Sequence, residues 1–374
     1  MTYIVVGAGI LGASTAYRLA KAGEKVIVID REEPGQATNA AAGIVCPWIS
    51  QRRNKKWYTL AKNGAKYYPS LIEELKEDGE KDTGYQQVGA LSIHTDVKKL
   101  EQMEQRAMKR REDAPEMGEI TRLSAEDTRK LFPALAEDYE AVHVSGAARV
   151  NGGALQKALL HASVKYGAEV IHGNAALEFH NHHVTGVKVD GNILNADKVI
   201  VTAGAWASEL LRPLGLDFQV SAQKAQIVHL QLPEADTSSW PVVMPPTDKY
   251  LLAFDDGKII AGATSENDMG FDRRVTPGGL HEIFNKILTI APGLSEATLV
   301  DTKVGFRPFT PGFLPVFGYV PGYEGILVAN GLGSSGLTVG PYLGAELAKL
   351  AMGKETEIDP QVYDVREAIE IIDN

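Results

Sequence analysis

Three glycines within the first twelve residues carry the clearest chemical signal in the chain. Gly7-Ala8-Gly9-Ile10-Leu11-Gly12 follows the apolar run Ile4-Val5-Val6 and leads into a helix-forming run, Ala13 to Ala22. In a strand–turn–helix of this spacing, Gly7 permits the tight turn and Gly9 lets backbone approach a pyrophosphate. Gly12 lets the helix pack closely on the strand. The helix N-terminus adds partial positive charge and N–H donors suited to phosphate. A second apolar strand, Lys25 to Asp30, ends on an acid. That is where a carboxylate accepts from an adenosine ribose hydroxyl, and it disfavours a 2′-phosphate and hence NADP. The pattern predicts a dinucleotide site.

The far end of the chain says which dinucleotide. Gly325-Ile326-Leu327-Val328-Ala329 runs into Asn330-Gly331-Leu332-Gly333-Ser334-Ser335-Gly336-Leu337-Thr338 and then another helix. A plain nicotinamide domain has no use for a second strand–glycine loop–helix so far downstream, whereas a flavin does. A helix N-terminus placed at the ring can stabilise the negative charge that develops at the N1/C2 carbonyl edge on reduction. The expected cofactor is therefore FAD.

With these segments in view, the chain resembles the FAD-dependent D-amino-acid oxidase superfamily, in the branch of glycine oxidase, sarcosine oxidase and D-amino-acid dehydrogenase. The resemblance runs over nearly the whole chain. It rests on the Gly7–Gly12 turn with Asp30, on Ala37-Thr38-Asn39-Ala40-Ala41-Ala42-Gly43-Ile44, on Val199 to Trp206, and on Val304-Gly305-Phe306-Arg307-Pro308 with the 325–350 return. It implies that Ile10, Leu11, Asp30, Arg31, Ala37 and Thr38 line the adenosine and pyrophosphate, with Ala176 holding the adenine by its backbone. It implies that Ala42, Gly43 and Ile44 lie along the ring and that Leu332, Gly333, Ser334, Ser335, Gly336, Leu337 and Thr338 wrap its pyrimidine edge. The flavin is expected to be non-covalent, because the cysteine that tethers it in sarcosine oxidase has no counterpart after Arg307. The only cysteine, Cys46, is expected to pack beside the flavin loop.

Arg307 stands among Val304, Phe306, Pro308 and Phe309. A guanidinium in apolar surroundings is costly unless paired. A bidentate substrate carboxylate would satisfy it, and so would an internal Asp or Glu. The resemblance favours the first reading: it puts a carboxylate-binding arginine at Arg307 and a tyrosine sharing the carboxylate at Tyr250, which otherwise reads as a strand aromatic. It also marks a departure. Ser334 occupies the position where glycine oxidase carries a second arginine, so the substrate clamp is expected to rest on Arg307 and Tyr250, with Ser334 beside them and glycine itself in question. His180, His182 and His183 invite a metal reading, but they fall between two strands, and a polar hairpin tip is favoured. The sequence offers no convincing general base.

These residues need a frame. The opening is a βαβ unit, which calls for a buried parallel sheet. Further elements are expected as helices at 55–78, Val97–Arg111, 151–166 and 278–291, and as strands at Val88–Ile93, 167–171, 176–179, 184–189 and 198–202. Residues 223–265 read as strand-rich, with Asp255-Asp256-Gly257 as a hairpin turn. Nucleotide-binding texture appears at the start, middle and end. The fold expected is α/β: a Rossmann-like FAD-binding domain from 1–85, 145–222 and 305–374, interleaved with an α+β substrate domain from 86–144 and 223–304 on a mainly antiparallel sheet.

Composition bounds the rest. The 374 residues are 44% hydrophobic and 23% charged, in the range of soluble globular proteins. A net charge of −10 argues against nucleic acid and anionic membranes as partners. The N-terminus lacks a basic segment and cleavage site, and no apolar stretch is long enough to span a bilayer, so a cytoplasmic location is expected. The function expected is oxidation of a small amino or imino acid (glycine, sarcosine, proline or D-amino-acid type) by hydride transfer to flavin N5, with reoxidation by oxygen or an electron carrier. A FAD-dependent 2-hydroxy-acid or polyol-phosphate dehydrogenase and a non-catalytic flavoprotein stand as alternatives. A homo-oligomer is left open.

Overall fold

A computed structural model describes residues 1–372. The first strand, Thr2–Val6, lies between Lys25–Asp30 and Lys198–Val201, parallel to both. Glu169–His172 and Ile326–Asn330 extend this sheet on either side, again parallel, and Val316–Tyr319 closes one edge antiparallel. The sheet buries both faces, as the near-continuous apolar strands require. Tyr3 and Val5 point into a cluster with Leu11 and Leu19 of the helix Ile10–Lys21 and Leu343 and Leu347 of the helix Gly336–Ala351. Ile4 and Val6 point the other way, onto Leu177, Val184 and Val187 of a three-stranded sheet. The first and last helices pack closely: Ser14 Oγ donates to Pro341 O at 2.8 Å, and a Cβ at Gly344 would lie 2.7 Å from that of Ser14.

The larger sheet has eight strands, ordered Thr298–Phe309, Ser221–Gln231, Lys258–Gly262, Tyr250–Ala253, Val242–Met244, Ala90–His94, Glu140–Val144 and Ile120–Leu123. Six of its neighbouring pairs are antiparallel, but Val242–Met244 runs parallel to Ala90–Ser92, so the sheet is mixed. One face carries Val228, Leu230, Leu251 and Ile259 against Ile283 and Ile287 of the helix Pro277–Ile290.

Most expected elements are present with ends moved by one to three residues. The first helix begins at Ile10 rather than Ala13, with Gly9 as its N-cap, so the glycine turn runs directly into helical backbone. The helix Gly152–Lys165 starts from Asn151, whose side chain accepts from Ala154 N. Asp256 and Gly257 take φ of +58° and +75° in the hairpin between Tyr250–Ala253 and Lys258–Gly262. The histidine triplet lies at a second hairpin, from Ala175–His180 into His183–Val189. Ile120–Leu123, Glu140–Val144 and Asn192–Asn195 are strands the sequence reading missed. They are short and interrupted by polar or charged residues, and sheet pairing rather than intrinsic preference decides them. Among the described residues, no helix is long and apolar enough to cross a membrane.

Candidate active site

One cavity of about 420 Å³ runs from the ends of Thr2–Val6 and Lys25–Asp30 to the Arg307 face of the eight-stranded sheet. At one end the wall is the glycine turn. Gly7 takes φ +101°, and a Cβ there would lie 2.6 Å from Thr202 O. A Cβ at Gly12 would fall 1.8 Å from Gly7 O, so only hydrogen fits between helix and strand. Gly9 is different. Its open side faces the cavity, and a Cβ there would meet nothing nearer than Thr38 Oγ1 at 3.4 Å. That hydroxyl accepts from Ile10 N at 3.0 Å, so Thr38 caps one of the helix's first N–H groups.

Asp30 is the hub of this end. Its Oδ2 accepts from Ala8 N at 2.5 Å, and its Oδ1 from Glu32 N at 2.5 Å and Gln36 Nε2 at 2.8 Å. A carboxylate has about four lone-pair sites. Asp30 therefore braces the turn and retains capacity for a ribose hydroxyl. Arg31 lines the cavity between Asn174 Oδ1 at 3.2 Å and Glu209 Oε2 at 3.1 Å.

Farther along, Ala37, Thr38, Ala42, Gly43 and Ile44 form one wall, and Leu332, Gly333, Ser334, Gly336, Leu337 and Thr338 the opposite one. The two are tied by Thr338 Oγ1, which donates to Ile44 O at 2.9 Å. The return loop is itself held by Asn330, whose Nδ2 donates to Gly204 O at 2.8 Å while its Oδ1 accepts from Gly331 N at 2.7 Å. Ala176 lines the first end with Gly173 and Asn174.

Two expected cofactor residues do not line the cavity. Gly12 is spent on helix–strand packing. Ser335 faces away, its Oγ accepting from Trp57 Nε1 at 2.9 Å, because the short 3₁₀ turn Gly333–Ser335 rotates its side chain toward the helix Lys55–Glu77. Cys46 is buried with Ile10, Ala42 and Leu337, and that burial pushes its thiol up to about 12, which leaves it inert at neutral pH.

Tyr250 and Arg307 meet at the other end, and Ser334 lines the same cavity. Arg307 Nη1 donates to Gln223 Oε1 at 3.0 Å, Ser265 Oγ at 3.2 Å and Thr264 O at 3.5 Å. All three acceptors are neutral, and among the described residues no carboxylate pairs with Arg307. Burial raises the Tyr250 phenol, the adjacent Arg307 guanidinium pulls it down, and the first effect wins. Tyr250 is thus a protonated donor at neutral pH. Sequence reasoning missed Gln223, which sits directly opposite Arg307 in the antiparallel register, and Ser265 in the following loop. Only strand pairing brings them there. It also missed Asn330 and Trp206, although both fall inside segments it had singled out.

A glycine cradle with one open face, an acid at the end of the second strand and a long cavity fit an FAD. Comparison with known proteins agrees with that fit. The sequence profile of the "FAD dependent oxidoreductase" (DAO) family matches residues 2–350. The chain belongs to that family. Within it, the chain is 67% identical to "Uncharacterized oxidoreductase YurR" of Bacillus subtilis, over 97% of this chain and 98% of the relative. It is 30% identical to the glycine oxidase of Pseudomonas aeruginosa, over 96% and 97% of the two chains. Among solved structures, iminodiacetate oxidase from Chelativorans sp. BNC1 superposes with a TM-score of 0.94 at 45% identity, covering 97% of this chain and 98% of that one. As a member of the DAO family the protein is an FAD-dependent oxidoreductase.

Proposed function

We propose that this DAO-family protein oxidises the C–N bond of a small carboxylated amine, an amino or imino acid. One observation carries the reading: Arg307 faces the cavity with neutral partners only, so its positive charge is uncompensated there. A substrate carboxylate supplies the missing charge, and charge-assisted bidentate bonds make the pair strong. Tyr250 donates to the same carboxylate from the strand Tyr250–Ala253, separated from that of Arg307 by two strands of the same sheet. Two relatives support the class, because iminodiacetate and glycine, the substrates in their names, are both carboxylated amines.

FAD would be held by the Gly7–Gly12 turn and Asp30 at its adenosine end and by residues 42–44 and Leu332, Gly333, Ser334, Gly336, Leu337 and Thr338 at its ring, and when bound it would supply the hydride acceptor. The chain's task is orientation. Arg307 and Tyr250 fix the carboxylate, which fixes the adjacent C–H bond relative to the ring wall. Ala225, Ile227 and Gly305 line the same cavity and offer little polar surface to compete for the substrate. No general base is assigned: an amine that enters neutral uses its own lone pair to form the C=N bond, and water then hydrolyses the imine. Ser334 leaves room and no second positive charge where glycine oxidase is expected to have an arginine. This favours an N-substituted amine over glycine itself.

The test is anaerobic bleaching of the flavin by iminodiacetate, sarcosine, glycine, proline and D-amino acids, followed by readmission of air. Bleaching by a carboxylated amine is expected. Bleaching by 2-hydroxy acids or polyol phosphates alone would overturn the reading.

A further inference from the structure

We infer that Gln223 is a positioning and specificity residue: it orients Arg307 through a neutral acceptor and so keeps the guanidinium's full charge available to the substrate's carboxylate. The inference rests on the carboxylated-amine reading above and deepens it at the same site.

Gln223 and Arg307 are paired across antiparallel strands, and the next pair along is Lys224 with Phe306. Side chains alternate along a strand, so Gln223 points to the cavity side and Lys224 to the opposite one. Lys224 is wholly buried, with Nζ 3.2 Å from Asp272 Oδ2 and 3.6 Å from Glu266 Oε2. Those two acids belong to the loop that also supplies Ser265 to Arg307. Glu266 is held further by Gln226 Nε2 and Thr264 Oγ1, both at 2.6 Å. Backbone bonds between Lys224 and Glu266 in both directions, at 3.0 and 2.9 Å, hold the loop edge on the strand.

The result is a segregation of charge. The two acids of the loop that reaches Arg307 are drawn to the far face by a buried lysine, whose own burial is tolerable only with such partners. On the cavity face, Arg307 finds an amide oxygen, a hydroxyl and a peptide carbonyl. These orient the guanidinium without neutralising it. A carboxylate at residue 223 would fit the same space and hold the same nitrogen, but it would compete with the substrate for the charge.

The measurement is titration of the FAD-loaded protein with acetate as a carboxylate probe and acetamide as its neutral counterpart, followed by perturbation of the flavin absorbance. Gln223→Glu is expected to weaken acetate binding about tenfold or more while moving acetamide less than about twofold. Ser265→Asp places a carboxylate against the same nitrogen from an exposed loop position, so it keeps the test available if Gln223→Glu does not retain flavin. It is expected to weaken acetate about three- to tenfold. Gln223→Met, which keeps volume but removes the acceptor, is expected to raise KM for the amine with kcat nearly unchanged. The inference is overturned if both acidic variants bind acetate as the wild type does, or if acetate and acetamide weaken together. Failure of the carboxylated-amine reading looks different: Arg307→Leu would then bind acetate normally.

Discussion

At the Gly7–Gly12 end of the cavity the wall is backbone, and at the Arg307 end it is side chain. The frame of the first end, the Gly7–Gly12 turn and Asp30, is made within thirty residues, and Thr38, Ala176 and Thr202 close around it. A strand, a turn and a helix N-terminus present peptide groups, and the glycines matter because they have no side chain. The second end is assembled from strands far apart in the chain: Gln223 meets Arg307 across 84 residues, and Ser265 meets it across 42. A backbone-built site tolerates almost no added atom. A side-chain-built site tolerates atoms but depends on charge, register and the loop behind it.

Substitutions can break this contrast, and the largest effect belongs to the backbone end. Gly12→Val would drive its Cβ to within 1.8 Å of Gly7 O, and the turn must move. The expected cost is about 3 kcal/mol or more in stability with loss of bound flavin, read by thermal unfolding and the absorbance of the purified protein. Retention of flavin in this variant would mean that the glycine is not a packing requirement.

Arg307→Leu acts at the other end and should leave flavin bound. Losing a charged partner of the carboxylate costs about 2–4 kcal/mol, roughly 30- to 900-fold in kcat/KM for the amine that bleaches the flavin. Unchanged kinetics would remove the clamp from the proposal. Tyr250→Phe deletes a single donor and is expected to cost about 1–2 kcal/mol, roughly 5- to 30-fold, mostly in KM.

The smallest effect tests the support behind Tyr250. Lys249 is buried and donates to Ala263 O at 2.7 Å, to Glu282 Oε1 at 2.7 Å and to Asp248 Oδ2 at 2.8 Å. Burial by itself would raise the Asp248 carboxyl, but bonds from Lys249 and Lys286 hold it down at about 2. A depressed acid stabilises the fold above its ordinary value near 3.9 and loses that contribution as pH falls toward 2. Asp248→Asn should therefore melt slightly below the wild type at neutral pH, by less than about 1 kcal/mol since Asp248 is half exposed. The gap should close between roughly pH 4 and pH 2. A gap that widens on acidification would contradict this sign.

The same contrast explains what could be read before folding. The glycine turn, Asp30, the 37–44 loop and the 331–338 return each lie in one continuous segment, and their chemistry follows from local spacing. Arg307 stood out because a guanidinium among apolar strand residues needs a partner. Which partner it has was not legible, since an internal acid and a substrate carboxylate satisfy the same sequence. Lys224, Glu266 and Asp272 illustrate the difficulty. As a string they read as ordinary surface charge, yet Lys224 is wholly buried and its two acids face away from Arg307. The direction of the Ser335 side chain was not legible for a related reason: inside a glycine loop it depends on the turn's rotation and on Trp57, which comes from another helix.

Local pattern therefore determined the glycine cradle, the continuous apolar runs that bury both faces of the first sheet, and the family resemblance. These depend on neighbours within a few residues, whose geometry is restricted by sterics and hydrogen bonding alone. The tertiary structure decided that the two ends share one cavity and that Arg307 faces it with neutral partners. Register between distant strands is set by the whole sheet's packing, and a shift of one residue would exchange Gln223 for Lys224 and place the lysine, not the amide, beside the arginine.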